Sequence, residues 1–186
     1  MALSLPLAAA LVVPAAAAAN TDAASAPYCG ITWGSLAKSS GTYSSAPLIA
    51  TRTGKHACFD RLVFELNGPA DGYRVGYTSE VYAASRQPMS AHTAGGALIG
   101  VRVLVPDVDQ AAHQTYPYAE FDHVANLAGY QTLRDVVYGG NGYDHAAGRN
   151  YSIFAVGTRA RLPFRVFVLA GPGSHSRIVL DVAHHW

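Results

Sequence analysis

From residue 59 onward the apolar side chains fall on alternate positions, a spacing of two that suits a sheet with one buried face and no helix. In Phe59 to Leu66, Leu62, Phe64 and Leu66 share one side while Arg61, Val63 and Glu65 share the other. Tyr73 to Val81 repeats the pattern, with Tyr73, Val75 and Tyr77 opposite Arg74, Gly76 and Thr78, and Ala97 to Val105 puts Ile99, Val101, Val103 and Val105 in register. Asn67-Gly68-Pro69 and Asp71-Gly72 supply turn chemistry between the first two runs. Leu48 to Thr53, Tyr151 to Val156, Phe164 to Leu169 and Arg177 to Val182 read as further strands. The last two flank Gly171-Pro172-Gly173-Ser174 as a hairpin. Tyr130 to Tyr138 resembles another strand, Phe121 to Ala128 has the makings of a helical turn or two, and Tyr138 to Arg149 reads as a Gly/Asn-rich loop. Short strands separated by turns predict an all-β fold, a sandwich or a barrel, with an N-terminal arm and little helix.

The first residues do not belong to that pattern. Leu3 to Val13 is an apolar run, Pro14 breaks it, and the alanines up to Ala19 offer cleavage sites, so residues 1–19 read as a secretory signal peptide even though Met1 to Leu7 carries no Lys or Arg. The run is too short for a membrane span of about 20 residues. Residues 20–47 are rich in Ala, Ser, Thr, Gly and Pro, with Tyr28 and Trp33 as the large anchors, and read as an arm before a domain at 48–186. Export makes the two cysteines an expected disulfide, since thiols outside the cytosol tend to be oxidised. A Cys29–Cys58 bridge would tie the arm to the first strong strand. Two isolated cysteines make no zinc site, as no C-x-x-C pair exists.

Chemistry is sparser. Charged residues make up 13% of the 186-residue chain, with a net charge of +1, which excludes the basic field that binding of nucleic acid requires. Among eight histidines there is no H-E-x-x-H, and Phe121-Asp122-His123 and Tyr143-Asp144-His145 read as surface residues. His184 and His185 read as part of a frayed tail. No G-x-S-x-G elbow appears, and no two carboxylates can be paired for glycoside hydrolysis. The sequence therefore predicts no catalytic residue, no metal site and no cofactor. Its one chemical enrichment is arginine: Lys38 and Lys55 are the only lysines among 13 basic residues. Arg159, Arg161 and Arg165 surround Leu162-Pro163-Phe164, where an extended chain would project all three from one side of an edge strand. Guanidinium forks bind carboxylates, and neighbouring tyrosines can stack on sugar rings.

Several blocks occur in a recognisable order: Cys29-Gly30-Ile31-Thr32-Trp33-Gly34-Ser35-Leu36, Cys58 to Leu66, Gly72-Tyr73-Arg74-Val75, Arg159 to Phe167, and Arg177 to Trp186. In these the chain resembles the AMIN-like domain proteins secreted by actinobacteria, over most of its length after residue 28. The resemblance implies a β-sandwich related to the AMIN domains that accompany cell-wall amidases, where the domain localises proteins by binding peptidoglycan or envelope partners. It implies no catalytic residues. The expected protein is a secreted, non-enzymatic module of the cell envelope that recognises peptidoglycan or an attached wall polymer, or else docks another exported protein, with a cell-wall hydrolase of unrecognised site as the third alternative.

Overall fold

Two antiparallel sheets pack face to face in a computed structural model that describes Met1 and residues 27–186. The expected leader, but for Met1, and the first part of the arm lie outside the described residues. Strands β1 (Lys38–Ser40), β4 (Tyr73–Thr78), β5 (Ala97–Val103), β7 (Arg149–Thr158) and β6 (Leu133–Asp144) form one sheet in that order. Strands β2 (Leu48–Lys55), β3 (Phe59–Leu66), β9 (Ser176–Ala183) and β8 (Phe164–Ala170) form the other. Helix is confined, among the described residues, to single 3-10 turns at Tyr28–Gly30 and Ser90–His92.

The alternation explains the architecture. Leu62, Phe64 and Leu66 of β3 and Ile178, Leu180 and Val182 of β9 point inward and are fully buried. They meet Ile99, Val101 and Val103 of β5 and Phe154 and Val156 of β7 from the opposite sheet. Phe64 and Phe154 touch across the sandwich with ring centroids 4.8 Å apart. Tyr138 packs beside them and donates its hydroxyl to Asp107 Oδ2 at 2.7 Å. Burial, reinforced by that bond to a carboxylate, pushes the Tyr138 hydroxyl far above its ordinary value.

Three segments differ from the sequence expectation. Tyr138 to Arg149 is no loop: β6 runs through it to Asp144, and β6 and β7 form a hairpin closed by residues 145–148. The glycines that suggest a loop instead make a bulge, for the register shifts between Tyr138 and Asn141. Gly140 adopts φ +83° beside the Glu120 side chain, where a Cβ would collide. Phe121 to Ala128 is not helical either. Phe121 and Val124 donate to the carbonyls of Tyr138 and Val136, so this segment runs along the edge of β6 and covers it. Finally, His184 is no frayed tail. It is buried at 1% exposure, with Nε2 3.1 Å from Asp60 Oδ1. The arm also enters the fold: β1 pairs with β4, and Ala46 is buried.

The connection 79–96 lies over the outer face of β5, β7 and β6, with Ala83 and Met89 packed on Val137, Ile153 and Ala155. Glu80 fastens it. One carboxylate oxygen accepts the backbone N–H of Val81, Met89 and Ser90, and the other accepts the Ser90 hydroxyl. The Ser90 hydroxyl, followed by these amides, holds the Glu80 carboxyl below its ordinary 4.5. A depressed folded value means the stabilisation is present above about pH 4.5 and lost as the pH falls through the folded value. Glu80→Gln is therefore expected to cost about 1 kcal/mol at pH 7, and the gap to wild type should be smaller at pH 3. Urea unfolding at the two pH values measures it, and an equal gap at both would contradict the assignment.

Candidate functional site

The outer face of the four-stranded sheet gathers four of the eleven arginines. Strand register places Arg61 of β3 opposite Asp181 of β9, and Asp181 opposite Arg165 of β8, so the three form one row across the sheet. Asp181 is fully buried, receiving Arg61 Nε and NH2 at 2.7 and 2.9 Å and Arg165 Nε at 2.9 Å. The hydrogen bond to Asp181 is the main cause that raises the Arg61 guanidinium above its ordinary value. Val63, Val179 and Phe167 form the next row, and Glu65, Arg177 and Leu169 the third. Arg52 of β2 closes a bidentate pair with Glu65. The face thus carries Arg52, Arg61, Arg165 and Arg177 against two acids.

Aromatic rings frame the first row. The Arg165 guanidinium lies 4.4 Å from the Trp33 ring centroid, 5.0 Å from Phe167 and 5.5 Å from Phe59. Arg61 lies 5.3 Å from Phe59 and 5.5 Å from Phe167. Trp33 meets Phe59 edge-on at 5.6 Å, and His56 stacks on Phe59 at 4.4 Å. The arm brings Trp33 here for two reasons. Cys29 is bonded to Cys58, one residue before β3, with Cα atoms 6.0 Å apart. Beyond Trp33, the Gly34 carbonyl accepts the Phe164 N–H at 2.9 Å.

The structure separates the three arginines singled out from sequence. Only Arg165 lies in a strand. Arg159 and Arg161 precede β8 in a connection that crosses from one sheet to the other, so period-two spacing does not continue through it. Arg161 donates to the Ser35 hydroxyl and carbonyl and lies 5.1 Å over Tyr77. Arg161 and Arg165 therefore converge on the Trp33–Ser35 segment. Arg159 instead donates to the His184 carbonyl. Sequence reasoning missed Arg61, Phe59, Phe167 and Asp181 as partners. The available signal was a pair of opposite charges at outward positions of two alternating strands.

Two other features have chemical potential. His123 Nδ1 lies 2.8 Å from Asp135 Oδ1, and Asp135 Oδ2 accepts the Ala94 N–H. His123 thus pairs with Asp135 rather than with its neighbour Asp122, which binds the Ala119 N–H. No described hydroxyl hydrogen-bonds that ring. A cleft of about 740 Å³ at one end of the sandwich is lined by Tyr43, Asp71, Arg149, Ser174 and His175, among others. Burial, with a 2.7 Å hydrogen bond to Asp144, pushes the Tyr43 hydroxyl up to about 12.

Among the described residues no helix is long and apolar enough to cross a membrane. The family model of the AMIN-like domain matches residues 46–184, from the buried Ala46 before β2 to the His184 that pairs with Asp60. Neither the curated proteins nor the solved structures include a significant match. Since the matched span holds every strand but β1, the chain belongs to the AMIN-like domain family.

Proposed function

We propose that this protein is an exported, non-catalytic module that associates with the cell envelope by binding peptidoglycan or a polymer attached to it. Family membership supports a peptidoglycan-associated binding or structural role. The apolar leader at 1–19, the Cys29–Cys58 disulfide and the resemblance to secreted actinobacterial proteins support export. We assign the domain to 48–186, with the preceding arm as part of the binding surface.

The observation that carries the reading is the Trp33–Arg165–Arg61 platform. Aromatic rings offer apolar faces to sugar rings, and guanidiniums offer forks to carboxylates. Peptidoglycan presents both sugars and stem-peptide carboxylates. Because Asp181 and the rings hold Arg61 and Arg165 in place, little side-chain entropy remains to be lost on binding. Docking of another exported protein by strand addition at β8 meets an edge that is partly used. Gly34 takes the Phe164 N–H, and the Tyr73 hydroxyl donates to the Val166 carbonyl at 3.3 Å.

Co-sedimentation of the oxidised protein, without residues 1–19, with purified sacculi tests the proposal. The protein should pellet at low salt, and Trp33→Ala should weaken binding about tenfold, the size expected for an aromatic anchor. Arg165→Gln should weaken it too, while Arg159→Gln should leave it nearly unchanged. No pelleting above a control protein would sink the proposal, and full binding by Trp33→Ala would remove the platform from it.

A further inference from the structure

The opposite sheet carries a second surface with unused binding groups. The 79–96 connection covers β5, β7 and β6 but stops short of β1 and β4, leaving a trench of about 470 Å³ along β4 and β5. Its floor is bare backbone. Gly76 and Gly100 are direct cross-strand partners, and the Arg74–Arg102 pair stands next to them on the same face. Neither glycine has the positive φ that would require one; both are partly exposed to the trench, and a side chain at either would crowd its walls. A Cβ on Gly76 would lie 3.0 Å from Ala37 Cβ, and one on Gly100 would lie 3.1 Å from Val81 Cγ2, which identifies the apolar walls.

The two arginines at the end of this trench have no direct ion-pair partner among the described residues. Arginines placed directly opposite each other in an antiparallel pair repel. Arg74 donates through NH1 to the carbonyls of Ser40 and Tyr73, leaving its other nitrogens free. Arg102 lies 5.2 Å over the Tyr151 ring. Nearby acids keep their charge but turn their oxygens to other donors. Glu80, which lines the trench, is taken up by three amides and Ser90, and Asp144, whose charge reaches Arg102, accepts the Tyr43 hydroxyl and the amides of Ala146 and Ala147. Lys38 turns the other way, with its ammonium over the Phe164 ring.

We infer that this trench binds the terminal carboxylate of a short peptide or peptide-like chain, with Arg74 and Arg102 receiving the carboxylate and the last residues lying over Gly76 and Gly100. Two forks suit a planar carboxylate, and the glycine floor admits a close main chain. Val81 and Ala37 on either side fit methyl-sized side chains, which a bare phosphate polymer lacks. The site is on the opposite face from the Trp33 platform and stands or falls separately from it.

Titration of the ¹⁵N-labelled, oxidised protein with acetyl-alanyl-alanine, its C-terminal amide and glycerol phosphate tests this. The dipeptide acid should shift the Gly76 and Gly100 amides and the Arg102 Nε–H saturably. Loss of the carboxylate, or Arg102→Gln, should weaken binding about tenfold, as expected for one charge-assisted pair. Trp33→Ala should leave the titration unchanged. Equal shifts with the amide, no saturable shift at all, or preferential binding of glycerol phosphate at these residues would each overturn the inference. Arg102→Gln also keeps the two surfaces distinguishable, since sacculus binding through Trp33 does not require it.

Discussion

Asp60→Ala is expected to destabilise the fold by about 3–5 kcal/mol, the cost of leaving buried polar partners unpaired. Asp60 is fully buried on β3. Its Oδ2 accepts the N–H of Thr132 at 2.6 Å and of Leu133 at 3.0 Å, where β6 of the other sheet begins. Its Oδ1 lies 3.1 Å from His184 Nε2, just past β9. One carboxylate thus links three segments drawn from both sheets, and alanine would strand all three donors without water. For a domain of this size the loss should lower Tm by roughly 6–20 °C. Asp60→Asn keeps one acceptor oxygen and should fall between wild type and Asp60→Ala. Urea unfolding measures both, and a cost under about 1 kcal/mol for Asp60→Ala would refute the stapling role.

Replacing Cys29 and Cys58 by serine should cost about 3–4 kcal/mol in the chain-entropy model, given their separation of 29 residues. The effect should reach beyond stability. Trp33 sits over Arg165 because the bridge holds the arm against β3, so the double variant should also lose sacculus binding at temperatures where the sandwich stays folded. Thermal unfolding with and without reductant measures the first effect. Tryptophan fluorescence and co-sedimentation measure the second. Equal stability with and without the bridge would show that the Gly34–Phe164 hydrogen bond and the Trp33 packing hold the arm alone.

The strands that read clearly from the sequence are those with one wet and one dry face. In β3, β4 and β5 the alternation is uninterrupted, and the structure places the expected side chains inward. The second half of β6 was hidden because Gly139 and Gly140 carry no side chains to mark a face, and the bulge they form interrupts the period. Register was not legible at all. Arg165 and Trp33 are visible as residues, but nothing local says that Asp181 lies beside Arg165 or that Arg61 completes the row. Asp60 did leave a trace: it continues the inward series of Leu62, Phe64 and Leu66, and an acid on an apolar face needs partners. His184 supplies one from the far end of the chain, a pairing that local sequence does not encode.

The hydrogen bond from Phe164 to Gly34 has a consequence for the chain before it is oxidised. An edge strand with free backbone groups is a template for pairing with another copy. Outward groups of β8 are occupied by Gly34 and Tyr73, and only the first belongs to the arm that the disulfide holds. While the cysteines are still thiols, only non-covalent contacts hold the arm against β8, and its release would open an end rich in Val and Phe. Formation of the bridge thus also guards against self-association, coupling the solubility of the domain to the redox state of the compartment in which it folds.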